Sequence, residues 1–119
     1  MDENLKKKSQ EFAIKTVRLH KQLSAAKKET VMSEELLRCG AGAGAELTKA
    51  DFATGSSDQT AKIFKALHNC VEAKYWLELL YETDYITEFE FNDTSKNCDE
   101  LGKMIFTLAK NLRAKLAKS

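Results

Sequence analysis

Leu5-Lys-Lys-Lys-Ser-Gln-Glu-Phe-Ala-Ile-Lys-Thr-Val-Arg-Leu-His-Lys-Gln-Leu23 places Leu5, Ser9, Phe12, Thr16, Leu19 and Leu23 at alternating steps of four and three. At 3.6 residues per turn these steps keep all six on one helix face. Ala13, Val17 and His20 widen that face, while Lys8, Glu11, Lys15, Arg18 and Gln22 fall on the other side. The spacing predicts a helix over about 3–23. A helix apolar along one stripe must bury it against another element.

Working outward, Ser24 to Val31 reads as a polar connection. Ser33 is a candidate N-cap, with Glu34 and Glu35 at the positive end of a second helix. That helix, about 34–54, carries Leu36, Leu37, Cys39, Gly40, Ala43, Gly44, Leu47 and Ala50, and Gly55 is placed to stop it. Ser56-Ser57-Asp58 opens a third helix, about 58–83. It is apolar over more than half its circumference, from Ile63 and Phe64 to Leu79 and Leu80. A helix apolar on so many sides needs more than one partner surface. Thr87-Glu88-Phe89-Glu90 fits a capping box. Beyond it Phe91, Thr94, Cys98, Leu101, Ile105, Leu108 and Leu112 keep a 3.5-residue rhythm through a fourth helix, about 88–117. Four amphipathic helices on short connections predict an all-α fold, an antiparallel up-down four-helix bundle forming a single domain over 1–119.

The composition agrees with this. The chain has 119 residues, 43% hydrophobic and 31% charged, with no proline to break a long helix. The net charge of +1 hides an uneven distribution. Residues 1–28 hold eight Lys/Arg against three Asp/Glu, residues 103–119 hold five and no acid, and residues 84–100 hold six acids and one lysine. Three cysteines without a Cys-x-x-Cys pair read as free, structural thiols in a reducing compartment. No apolar signal core follows Met1, and no window approaches 18 uninterrupted apolar residues, so a cytoplasmic protein without a membrane span is expected.

Few arrangements in the sequence suggest chemistry. Cys39 to Ala45 alternates small residues with Gly40, Gly42 and Gly44, yet lacks the Gly-Lys-Ser/Thr ending and the preceding strand of a phosphate loop. Each mid-helix glycine costs about 1 kcal/mol against alanine, and close helix packing at Gly40 and Gly44 is the simplest offset. A di-iron bundle needs two Glu-x-x-His motifs, and neither His20 nor His68 follows a glutamate at that spacing. His68 and Glu72 make an i, i+4 pair, but two ligands do not close a metal site. The cysteines sit on apolar stripes without a base to activate them. No metal, cofactor or catalytic residue is therefore expected, and the chain reads as a non-enzyme. The basic residues are the functional candidates. Lys8, Lys15 and Arg18 line the first helix, Lys103 and Lys110 share a face of the fourth, and adjacent helices would merge them into one strip for nucleic-acid phosphates. Tyr75 and Trp76 are candidates for an oligomer interface.

Three stretches carry a family resemblance: Lys8-Ser-Gln-Glu-Phe-Ala-Ile-Lys15, Leu37-Arg38-x-Gly40-x-x-x-Gly44-Ala45, and Glu72-Ala-Lys-Tyr-Trp-Leu-Glu-Leu-Leu80, followed by Cys98-x-Glu100-Leu-Gly-Lys-Met104. In this order and spacing they resemble the bacterial four-helix-bundle proteins encoded in intervening sequences of 23S ribosomal RNA genes. The resemblance implies an up-down bundle assembled as a ring-shaped homopentamer, without enzymatic activity. It also implies kinship with accessory proteins of diversity-generating retroelements, basic pentamers that bind nucleic acid and a reverse transcriptase. Glu46 stands where the family commonly has asparagine.

Two functions follow as expectations. One is an oligomeric protein that associates with RNA or single-stranded DNA through Lys8, Lys15, Arg18, Lys103 and Lys110. The other is a protein–protein scaffold whose charges keep it soluble, a reading that the acidic stretch between Asp84 and Glu100 favours.

Overall fold

The computed structural model describes residues 1–118. Four helices follow one another: α1 (Glu3–Lys27), α2 (Val31–Asp51), α3 (Ser56–Glu82) and α4 (Glu88–Lys118). Each packs on the next, and α4 closes back on α1. The α2–α3 interface is the largest and α1–α4 the smallest. The result is an antiparallel bundle of 51 × 22 × 21 Å. Its core takes one stripe from every helix, including Phe12, Leu23, Leu36, Leu47, Leu77, Leu80, Leu101 and Ile105. The stripe read from residues 5–23 is the buried face of α1.

The helix ends depart from the sequence reading in one region. The polar connection expected over 24–31 shrinks to residues 28–30, because α1 runs on to Lys27. Lys28 adopts a left-handed conformation (φ 56°), and its N–H bonds the Leu23 carbonyl. The N–H of Glu29 reaches the same oxygen at 3.0 Å. This closes the helix as a C-terminal glycine would, with a lysine in the glycine's place. Ser33 is not the N-cap of α2. It lies inside the first turn, buried, with its hydroxyl donating to the Glu29 carbonyl at 3.1 Å and lying 2.9 Å from His20 Nδ1. The capping is done by Glu29, whose carboxylate accepts from Met32 N at 3.0 Å and Ser33 N at 2.9 Å. Its negative charge also meets the positive end of α2.

The other ends are closer to expectation. α2 stops at Asp51, before the Gly55 expected to end it, and α3 starts at Ser56 with Gly55 as its N-cap. The capping box opening α4 is formed: Glu90 N donates to Thr87 Oγ1 at 3.1 Å, and Thr87 N donates to Glu90 Oε1 at 2.8 Å. Among the described residues no helix is long and apolar enough to cross a membrane.

Candidate nucleic-acid interface

The five basic candidates do not form one open strip. α1 and α4 are neighbours, as expected, but the acids of α4 meet the lysines of α1 across the seam. Lys8 Nζ lies 2.9 Å from Glu100 Oε2, and Lys15 Nζ lies 2.9 Å from Asp93 Oδ1. The hydrogen bond with Lys8 holds the Glu100 carboxyl below its usual range, and the same bond raises Lys8. Arg18, Lys103 and Lys110 are exposed and make no ion pair among the described residues. Lys8 and Lys15 are seven residues apart, and so are Asp93 and Glu100. Because the spacings match, a single antiparallel register of α1 on α4 makes both pairs at once.

The bundle's connectivity gathers charge differently. Its up-down path brings the start of α1 and the end of α4 to the same end of the molecule. Lys6, Lys7, Lys103 and Lys110 are exposed in this half, and Arg113 lies 4.2 Å above the Phe64 ring. The opposite end receives Glu34, Glu82, Asp84, Glu88 and Glu90. The molecule is therefore basic at the end holding its termini and acidic at the other.

The two aromatic candidates part company. Trp76 is half-buried on the α2 side of α3, where its indole N–H donates to Glu72 Oε2 at 3.0 Å. Glu72 also pairs with Arg38, which lies 2.6 Å from Glu35 on its own helix. The Trp76 N–H first, then Cys39 and Arg38, hold the Glu72 carboxyl below its ordinary value. With Glu72 so engaged, the His68–Glu72 pair does not stand open as a chelate. Tyr75 instead points into a groove of about 720 Å³ between α3 and α4, lined by Leu67, Val71, Tyr75, Cys98, Gly102 and Phe106. Sequence reasoning had no way to single out Val71, which looks like a core residue on a helix apolar over more than half its circumference, or Phe106, which stands outside the apolar rhythm of α4.

The glycines fall into three environments. A Cβ at Gly40 would stand 2.5 Å from Thr16 Cγ2, so α1 and α2 meet there at a distance only glycine permits. At Gly44 the nearest atom, Ser9 Oγ, would be 3.5 Å away, an ordinary contact. Gly42 faces Asn69 of α3. Two turns beyond Gly40, Glu46 is buried, with Lys49 at 3.2 Å and Lys65 at 3.8 Å from Oε1, while Oε2 has no partner among the described residues. The three cysteines are free and buried. Burial pushes the Cys39 and Cys98 thiols up to about 12 and raises Cys70 as well, so all three are protonated at neutral pH.

A family model described as 23S rRNA-intervening sequence protein matches residues 1–107. The chain belongs to that family. A solved member of the S23 ribosomal protein family from Bacteroides thetaiotaomicron, a protein of unknown function, is 38% identical to it. That structure superposes with a TM-score of 0.87, over 89% of this chain and 98% of its own. No curated protein matches. Several residues of the stretches that carry the resemblance do packing work in this bundle. Gly40 receives Thr16, Arg38 and Trp76 meet on Glu72, and Ala73, Leu77 and Leu80 are core. These residues hold the helices of this bundle together.

Proposed function

We propose that this intervening-sequence family member is a non-enzymatic, self-associating bundle that holds the phosphates of RNA or single-stranded DNA at its basic end. The observation that carries the reading is the meeting of two basic chain ends at one end of the bundle. There Lys6, Lys7, Lys103 and Lys110 are exposed without ion-pair partners among the described residues. Lysines on a helical surface offer point charges to phosphate and no base-reading geometry, so affinity is sequence-indifferent and salt-sensitive. Lys8 and Lys15 contribute less, because Glu100 and Asp93 already neutralise them. Arg18 lies past the seam pairs, on the side away from Lys103 and Lys110, and stands apart from this surface. Five copies is the number that the family resemblance implies, and a cytoplasmic location suits the free thiols.

A scaffold without nucleic acid is the second reading, favoured by the neutralised seam and by the apolar groove between α3 and α4. Anisotropy titrations with labelled RNA and single-stranded DNA, at low and physiological salt, separate the two. The variant Lys6→Gln/Lys7→Gln/Lys103→Gln/Lys110→Gln weakens binding to every sequence alike, and Lys15→Gln changes it little. If neither nucleic acid binds even at low salt, the phosphate reading fails and the scaffold reading replaces it.

A further inference from the structure

The α3–α4 groove joins two kinds of surface. One is apolar and open to solvent: Val71, Tyr75 and Phe106 are 65%, 57% and 55% exposed, and Gly102 leaves free space beside them. Trp76 braces the Tyr75 ring edge-on, with centroids 5.1 Å apart. The other surface is cationic and belongs to α4. Lys103 lines the groove, Lys96 lines the recess that adjoins it, and Lys110 follows Lys103 by seven residues. Steps of seven keep all three on one face of the helix, and all three are exposed. Toward the basic end Arg113 continues the row, 4.2 Å over the Phe64 ring. Of the acids along the groove, Asp99 is held by Lys74 at 2.7 Å, Glu100 in the recess is held by Lys8, and Glu78 stands toward the acidic end. In the basic half, residues 60–71 of α3 and 103–118 of α4 contain no Asp or Glu.

We infer that the basic half of this groove holds a single nucleic-acid strand, with its phosphates along the α4 lysines and its unpaired bases stacked on Phe106 and Tyr75. The inference rests on the phosphate binding proposed above and adds what selects the strand. A cationic wall beside exposed aromatic rings is the arrangement by which proteins bind single strands. Unpaired bases can be splayed onto such rings, whereas a duplex keeps its base faces inside its own stack. Every base has a flat face, so stacking adds affinity without adding sequence preference. Charge complementarity selects the occupant. The basic half offers Lys103, Lys110 and Arg113 against no carboxylate of either helix, which suits a polyanionic backbone. Glu78 repels that backbone from the other half and so sets how far the strand runs.

Three probes of equal length test the stacking in anisotropy titrations: a labelled oligothymidylate, the same strand paired to oligoadenylate, and a base-free deoxyribose-phosphate strand. The wild type binds the first more tightly than the other two. The double variant Tyr75→Ala/Phe106→Ala loses about 5- to 150-fold in single-strand affinity for each base that stacked. Its duplex affinity and its salt slope stay as they were, because the lysines remain. Lys103→Gln/Lys110→Gln acts in the opposite way and lowers the slope for all three probes. Unchanged circular dichroism and unchanged mass by light scattering confirm fold and assembly. A second measurement needs no variant: a strand carrying 5-iodouracil, irradiated with the wild type, crosslinks to Tyr75 or Phe106. Should the double variant unfold, the crosslink decides. If no nucleic acid binds even at low salt, the phosphate reading fails and the inference with it. If nucleic acid binds but the duplex or the base-free strand binds as tightly as the single strand, or the crosslinks map elsewhere, the phosphate reading stands and the stacking is wrong. If the double variant changes the mass of the protein, the groove is a protein contact and the stacking is again wrong.

Discussion

A Cβ at Gly40 would meet Cγ2, Oγ1 and Cβ of Thr16, and Thr16 cannot step aside, because it is fully buried and its hydroxyl donates to the Ala13 carbonyl at 2.8 Å. Gly40→Ala therefore forces α1 and α2 apart. The overpacking cost, about 1–3 kcal/mol, outweighs the gain in helix propensity of about 1 kcal/mol, so urea denaturation should show a less stable protein. Thr16→Ser, which removes the nearest methyl, should recover part of the loss in a double-mutant cycle. Gly42→Ala should behave oppositely. Its new methyl meets only the amide end of the half-buried Asn69 side chain, which can rotate, so stability should hold or rise. The glycine stretch was legible as packing from sequence, but which glycine mattered was not, because that depends on which residue of α1 lies opposite. The thiols give a pH prediction. An acid whose folded value is raised keeps its proton in the folded state and loses it in the unfolded one. Cys98 therefore adds stability that is complete below its ordinary value of 9 and lost as pH climbs toward about 12. The loss is about 1.4 kcal/mol per pH unit per thiol. The penalty of Cys98→Ala, measured by urea denaturation at about pH 8 and about pH 10, should shrink at the higher pH.

Among the elements, the turn between α1 and α2 is where sequence and structure part most, and each miss has a local cause. The usual end signal for α1 is glycine, and here Lys28 takes the left-handed position instead. The usual start signal for α2 is a Ser, Thr, Asp or Asn side chain. Ser33 supplied a decoy three residues too late, while the carboxylate of Glu29 supplies the cap from outside the helix. Glu29 is buried and holds two backbone N–H groups, so Glu29→Ala should cost about 1–2 kcal/mol, at the upper end for a lost cap. Thermal unfolding of that variant beside Ser33→Ala provides the check. Ser33→Ala, which removes a hydroxyl but no cap, should be the milder of the two. The α4 start was legible because Thr87 and Glu90 satisfy each other locally, three residues apart, with no help from the tertiary fold. The seam pairs Lys8–Glu100 and Lys15–Asp93 needed the register of α1 on α4, which no single helix contains.

At the scale of the whole molecule, the long axis is what organises charge. The α4 helix of 31 residues runs nearly the length of the 51 Å bundle, carrying acids at its start and lysines at its end. On the reading proposed above, an assembly whose copies point the same way would put every basic end on one face, and the phosphate contacts of the copies would add on one nucleic-acid strand. Each neutralised phosphate of single-stranded nucleic acid contributes about −0.7 to the slope of log affinity against log salt. The intact assembly should therefore show a slope several times that of a single subunit, and an affinity raised by avidity. Dilution separates the two, because subunits below the dissociation concentration of the assembly keep their basic ends and lose their neighbours. A titration of the dilute protein with single-stranded DNA across a salt series should give weaker binding and a shallower slope than one at a concentration that keeps it assembled. Equal slopes would mean that one subunit already makes all the contacts, and that aligned basic ends are not how the protein holds its ligand.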